Sequence, residues 1–240
     1  MRRFEGRTAV VTGAGGAIGG AIAARLESEG ARLALGDLEP LRWEGAVTVA
    51  GDLSVPGEAQ RLVDACLAEY GRVDVLVNNA GGGVIRPTLE HTEDTLLATI
   101  DRNLWTAVRT TLAALPHMLE RGYGRVVFVG ADSVRNGLDR HAVYNAAKGG
   151  VHAFARGLAR EHARAGVTFN TVAPSATATP ELAAILARQP DAGEAFLRVI
   201  PMGRPAALEE VASAVAYLAS EEASFITGQV LGVNGGSTMI

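Results

Sequence analysis

The chain has a single cysteine, Cys66, among 240 residues. That excludes an intramolecular disulfide and any metal site built from several thiolates, and it fits a reducing compartment. No uninterrupted apolar run approaches the ~18 residues of a membrane span. Basic charge is not in excess either: 22 Lys and Arg face 26 Asp and Glu, a formal net charge of −4. Such a chain offers no electrostatic footprint for nucleic acid or for an anionic membrane surface. The five histidines, His91, His117, His141, His152 and His162, show no metal-ligand spacing. No metal is expected, and His152 and His162 read as ordinary helix residues. The start at Arg2-Arg3 runs into a nucleotide-loop pattern and a charged helix, so a secretory leader is not expected. No Pro/Ser-rich linker or break in composition divides the chain, and one domain over 1–240 is expected in a soluble, cytoplasmic protein.

Glycine is abundant: 29 residues, spread along the chain where apolar runs end and helical patterns begin. Short apolar runs at 8–12, 32–35, 47–50, 73–77, 125–129, 167–172 and 230–233 alternate with helical patterns at 18–29, 58–70, 94–119, 142–165 and 208–219. This alternation predicts an α/β fold with a doubly wound, parallel, Rossmann-type sheet, because parallel strands need crossover helices on both faces. The connection from Asp37 to Val47 is too short for a helical crossover and is expected to be a turn containing Pro40 and Trp43. On the 94–119 helix, Leu96, Ile100, Leu104, Val108, Leu112 and Leu115 share one stripe, the expected core face, with Trp105 off it. The 142–165 helix is dense in alanine and glycine, which permits close packing on the sheet or on a second subunit.

Four groups of residues suggest chemistry. Thr12-Gly13-Ala14-Gly15-Gly16-Ala17-Ile18-Gly19 joins the first strand to the first helix, where glycines admit a pyrophosphate and the helix N-terminus attracts it. Asp37, eighteen residues after Gly19, has the spacing of a carboxylate that reads the adenosine ribose and repels a 2′-phosphate, favouring NAD. Asp52-Leu53 and Asn78-Asn79-Ala80-Gly81 end neighbouring strands, where open α/β sheets hold ligands. Tyr144 and Lys148 lie one helical turn apart on one face, where an ammonium can favour a phenolate.

Together, TGAGGAIG at 12–19, Asp37, Asp52-Leu53, NNAG at 78–81, Asn103, YNAAK at 144–148, Pro174 with Thr179, and ITGQVLGVNGG at 226–236 resemble the short-chain dehydrogenase/reductase family over essentially the whole chain. The resemblance implies an oxidoreductase that moves a hydride between NAD and a secondary alcohol or ketone. Tyr144 would be the proton donor and acceptor, Lys148 would bind the nicotinamide ribose and lower the tyrosine's pKa, and Asn103 would hold a water of the proton relay. Gly13, Gly16, Ala17, Ile18, Gly19, Asp37, Leu38, Asp52, Leu53, Asn79, Ala80, Gly81, Pro174, Thr177 and Thr179 would bind the cofactor. A homotetramer is implied, with the two long helices and the C-terminal segment at its interfaces. Segments such as Gly81-Gly82-Gly83 are most similar to dehydrogenases of ring-derived alcohols, including cyclic cis-diol carboxylates and alicyclic hydroxyacyl-CoA compounds.

Two positions depart from the family's pattern. Alanine stands at 131, where the family has the serine that donates to the substrate oxygen. In an extended segment Ser133 would stand about 6.5 Å away and could replace it only if the strand end bends. An NAD-binding protein of low turnover, or an enzyme carrying an introduced Ser→Ala change, would show the same residue. The second departure is Pro174-Ser175 in place of Pro-Gly, unfavourable if the backbone there needs a positive φ. Arg135, Asn136 and Arg140 form either a solvated loop or an anion-binding rim. Residues 180–201, with Leu182, Ile185, Leu186, Phe196 and Leu197, are expected to fold over the substrate as an apolar lid.

Overall fold

The computed structural model describes residues 2–188 and 197–239. Seven strands, β1 (Thr8–Thr12), β2 (Arg32–Asp37), β3 (Val47–Ala50), β4 (Val75–Asn78), β5 (Gly124–Val129), β6 (Val167–Pro174) and β7 (Val230–Val233), form one sheet. All pairs are parallel, in the order β3-β2-β1-β4-β5-β6-β7. The order reverses between β1 and β4, which opens a crevice at their carboxyl ends. Helices α1 (Ala17–Ser28) and α8 (Leu208–Ala219) cover one face; α2 (Glu58–Tyr70), α4 (Thr106–Arg121) and α6 (Ala142–Glu161) cover the other. Three further helices, α3 (Glu93–Ile100), α5 (Ser133–Asn136) and α7 (Pro180–Arg188), stand at the carboxyl end of the sheet or lead away from it.

The central strands are apolar on both sides because both sides are covered. Alternation along β1 sends Ala9 and Val11 into the α1–α8 layer with Ile22, Leu26 and Val215, and Val10 into the other layer with Leu62, Met118 and Phe128. Cys66 belongs to this second layer, where burial pushes its thiol up to about 12 and leaves it a core residue. Between β2 and β3 there is no helix, as the short spacing predicts. Trp43 packs there on the first layer and its indole N–H donates to Glu27.

The expected core stripe on the third helical segment is wrong. Residues Thr106, Ala107, Thr110, Thr111, Ala114 and Met118 face the sheet, and only Leu115 of the predicted stripe is buried with them. Leu112 is 56% exposed, and Leu96, Ile100, Leu104 and Val108 are half-buried. The buried positions lie one residue before the leucines, rotated by about 100°. Small and hydroxylated side chains let α4 approach the sheet closely, and their hydroxyls return to the helix's own backbone: Thr110 Oγ1 donates to Thr106 O and Thr111 Oγ1 to Ala107 O. The segment is also not one continuous α-helix. A π-helical turn at Asp101–Trp105 separates α3 from α4, a feature that commonly re-aims a side chain at a site. The side chain here is Asn103.

Candidate active site

A cleft of about 1320 Å³ runs along the carboxyl ends of β1, β2, β4, β5 and β6. Glycines shape its first wall. Gly13 has φ +65, and a Cβ on it would lie 2.8 Å from Ala80 Cα; a Cβ on Gly19 would lie 2.0 Å from the Gly13 carbonyl oxygen. Asn79 ties this loop to the end of β4, its amide donating to the carbonyls of Thr12 and Gly13, while Thr12 Oγ1 accepts from the N–H groups of Asn79 and Ala80. Asp37, at the end of β2, accepts from the Gly15 N–H at 2.9 Å. The acid is therefore fixed beside the loop. Gly16, Ala17 and Ile18 continue this wall into α1, and Leu38, Asp52, Leu53, Ala80 and Gly81 flank it.

At the other end α6 presents Tyr144 and Lys148 one turn apart, with the ammonium 5.9 Å from the phenol ring centroid. Lys148 is buried and donates to the Val129 carbonyl at 2.9 Å. Asn103 grips the far side of the β4 turn: its amide donates to the carbonyls of Gly82 and Thr99, and its oxygen accepts from the Gly82 N–H. A Cβ on Gly81 would sit 2.6 Å from Asn103 Oδ1 and 3.1 Å from Lys148 Nζ, so the three groups converge on one point. Burial pulls the Lys148 ammonium down to about 8 and pushes the Tyr144 phenol up to about 12. Desolvation of the phenolate is the cause of the rise at Tyr144. His141 also reaches the cleft, its ring edge-on to Tyr144 at 6.0 Å.

Beyond Tyr144 the cleft opens into a recess of about 160 Å³ lined by Ala131, Ser133, Ser175 and Ile200 among others. The strand end does bend: residues 133–136 form the short helix α5, not an extended segment. The bend leaves the Ser133 hydroxyl donating to Asn145 Oδ1 at 2.6 Å. Ser175 adopts no positive φ; among the described non-glycine residues only Arg140 does, at +61. Of the suggested anion rim, Arg135 is committed to the Val230 carbonyl and Asn136 to Asp132, leaving Arg140 on the cleft, paired with exposed Asp139. Pro174, at the end of β6, and Thr177, beyond it, line the cleft; Thr179 lines it too, while its Oγ1 accepts from the Leu182 N–H at the start of α7. Leu182 and Ile185 of α7 also face the cleft, whereas Phe196 lies outside the described residues.

Two further residues shape the site without having been singled out for it by sequence. Asp132 is fully buried and accepts from Asn136, Asn234, Ser237 and Thr238, pinning the C-terminal segment to the end of β5. His152, one turn beyond Lys148, accepts from the Ala131 N–H, and a Cβ on Gly130 would lie 2.2 Å from its Nε2. The i, i+4 spacing of Tyr144, Lys148 and His152 was the available signal. Among the described residues no three or more His, Cys, Asp or Glu side chains gather as a metal site.

A glycine-walled cradle at the switch point of a parallel sheet, a carboxylate at its outer end and a phenol–amine pair at its inner end define an oxidoreductase of the Rossmann class. The comparisons agree. Residues 13–238 match the family model described as Enoyl-(Acyl carrier protein) reductase. The chain is 53% identical to a 2,3-dihydroxy-2,3-dihydro-p-cumate dehydrogenase of Pseudomonas putida, over 99% of this chain and 96% of that one. It is 35% identical to a 1,6-dihydroxycyclohexa-2,4-diene-1-carboxylate dehydrogenase of Acinetobacter baylyi, over 98% and 97%. The solved structure of levodione reductase superposes with a TM-score of 0.90 at 30% identity, covering 98% of both chains. The chain belongs to the short-chain dehydrogenase/reductase family.

Proposed function

We propose that the protein oxidises a ring-borne secondary alcohol, a cyclic cis-diol in particular, with NAD. One observation carries this reading: Tyr144 and Lys148 open onto the same cleft that Gly13, Gly19 and Asp37 wall at its other end. Two relatives support the substrate class, since both are named for dihydroxylated rings. The residues fit a dinucleotide. Cβ atoms on Gly13 and Gly19 would collide with their surroundings, and a backbone this bare admits a pyrophosphate beside the N-terminus of α1. Asp37 would accept from the adenosine ribose hydroxyls and repel a 2′-phosphate, which favours NAD over NADP. When bound, the nicotinamide supplies the hydride acceptor.

The chain's own part is proton handling and positioning. Tyr144 exchanges the proton at the substrate oxygen. Lys148, still an ammonium at pH 7 with its pKa near 8, supplies the positive charge that a phenolate needs and binds the nicotinamide ribose. Asn103 holds the β4 turn open and orders the relay water. Gly16, Ala17, Ile18, Leu38, Asp52, Leu53, Asn79, Ala80, Gly81, Pro174, Thr177 and Thr179 complete the cofactor wall, and α7, with Leu182 and Ile185, closes over the substrate. Among the described residues no helix is long and apolar enough to cross a membrane, which accords with a cytoplasmic enzyme. The outward face of Leu97, Trp105 and Leu112, exposed by 53%, 43% and 56%, supports burial against further subunits of a homotetramer.

The test is NAD⁺ reduction followed by nicotinamide absorbance across cyclic cis-diols, alicyclic alcohols and hydroxyacyl-CoA compounds. Turnover confined to the ring diols is the expected outcome. A low-turnover NAD-binding protein is the second reading, favoured by Ala131 and opposed by the intact Tyr144, Lys148 and Asn103; it predicts calorimetric NAD binding with no turnover on the whole panel. For the cofactor, Asp37→Ala should narrow the preference for NAD over NADP by about tenfold or more, the worth of one charge-assisted contact. An unchanged ratio would show that Asp37 does not read the ribose.

A further inference from the structure

Among the described residues, six buried side-chain polar atoms have no hydrogen-bond partner: Thr8 Oγ1, Asn78 Oδ1, Arg109 Nη1, Thr168 Oγ1, Thr171 Oγ1 and Ser175 Oγ. Only Ser175 lines the cleft and its recess. An unpaired buried hydroxyl is destabilising. Finding one in a wall that faces a ligand cavity points to a partner that arrives with the ligand.

The neighbours say which ligand atom this is. The β5–β6 register pairs Val129 with Val172, and beyond the strands the Asp132 N–H donates to the Pro174 carbonyl at 2.9 Å. Continued past the strand, this register sets Ala131 opposite Pro174 and Asp132 opposite Ser175, so Ala131 and Ser175 are diagonal neighbours on adjacent strand ends. Both line the cleft and the recess, and so does Tyr144. Position 131 contributes a methyl group and no donor. Ser133 contributes a hydroxyl already given to Asn145. His152 accepts from the Ala131 backbone. Among the described residues that line the recess with Tyr144, the side-chain hydroxyl left without a partner is that of Ser175.

We propose that Ser175 Oγ–H donates a hydrogen bond to the reacting oxygen of the substrate, as the second donor beside the Tyr144 hydroxyl. The assignment rests on the function proposed above. Negative charge grows on that oxygen as an alcohol becomes a carbonyl, or as a carbonyl is reduced. A donor fixed in a desolvated wall stabilises that charge without having to reorganise. Ser175 transfers no proton of its own; the exchanged proton belongs to Tyr144. A hydroxyl absent from one strand end is thus supplied by the next.

The experiment compares the unaltered protein, Ser175→Ala, Ala131→Ser and the double variant on a ring cis-diol, with NAD affinity measured separately by calorimetry. Ser175→Ala should lower kcat/KM by about 10²–10³-fold, mostly in kcat, with NAD affinity unchanged. Adding Ala131→Ser to Ser175→Ala should restore most of the loss, a rescue that a merely structural serine would not permit. Ser175→Ala activity within about twofold of the unaltered protein would overturn the assignment. A loss found wholly in NAD affinity would overturn it too, placing Ser175 on the cofactor. If the unaltered protein binds NAD yet turns over none of the panel, the proposed function falls first and takes this assignment with it.

Discussion

The two ends of the cleft are made of different material. Near β1 and β2 the wall is backbone: glycines at 13 and 19, where a Cβ would collide with neighbouring main chain, and a β4 turn held by Asn79 amide donation to carbonyls. Near β5 and β6 the wall is side chain: Tyr144, Ala131, Ser175, His141, and Leu182 and Ile185 from α7. A backbone cradle serves any pyrophosphate and tolerates little change. A side-chain wall changes one residue at a time, which is how a shared fold takes different substrates.

Matched variants at the two ends break or sharpen that contrast, and they carry the largest expected effects. Tyr144→Phe should leave NAD affinity intact while lowering kcat by about 10²–10⁴-fold, the usual worth of a positioned acid–base group. Gly19→Ala should do the opposite, because the added methyl would sit 2.0 Å from the Gly13 carbonyl oxygen. The loop must shift, at a cost of about 1–3 kcal/mol, and NAD affinity should fall together with stability. Calorimetry beside steady-state kinetics separates the two. If Tyr144→Phe weakens NAD binding as much as Gly19→Ala does, the halves are not independent.

The same contrast governs what was legible in the sequence. The glycine-walled end is legible because glycine is nearly the only residue that fits such backbone, so TGAGGAIG and the turn at 78–81 mark it directly. β1, β3, β7, α2 and α8 fall at the expected residues for a similar reason, local pattern and packing being in agreement. The leucine stripe misleads because close approach to the sheet, not hydrophobicity, selects the buried face, with Thr106, Ala107, Thr110 and Thr111 on it. The α5 bend, the Asp132 hub and the His152 contact depend on partners distant in sequence: Asp132 meets Asn234, Ser237 and Thr238. No local spacing announces such pairings.

At Lys148 the inner end carries a cost in stability. Its ammonium is fully desolvated and its pKa falls from 10.5 to about 8. At pH 7 the folded state therefore carries a penalty of about 3 kcal/mol relative to an unburied lysine. Because the folded pKa is the lower one, the penalty is complete below about pH 8 and is relieved as pH rises towards 10.5. Lys148→Met should abolish turnover, and the stability of the unaltered protein relative to this variant should climb by about that amount between pH 7 and 10.5. Urea midpoints of the two proteins across that range make the measurement. Parallel curves would show that Lys148 is not desolvated.

His152 contributes the smaller effect, at the acid end. Burial first, and then the charges of Arg135, Lys148 and Arg156, hold its pKa near 4 against an ordinary 6.5. The folded state therefore keeps a neutral ring whose Nε2 accepts from the Ala131 N–H, while the unfolded chain takes up a proton as pH falls below 6.5. A depressed folded pKa means stability that is present above 6.5 and lost as pH falls towards 4, about 2 kcal/mol of it between pH 7 and 5. His152→Gln keeps an acceptor on the helix but has no proton to take up. Its urea midpoint should fall less than that of the unaltered protein over this interval, with the difference largest near pH 5. Equal acid sensitivity in both would assign the loss to other groups and remove His152 as the titrating support of the strand end that carries Ala131.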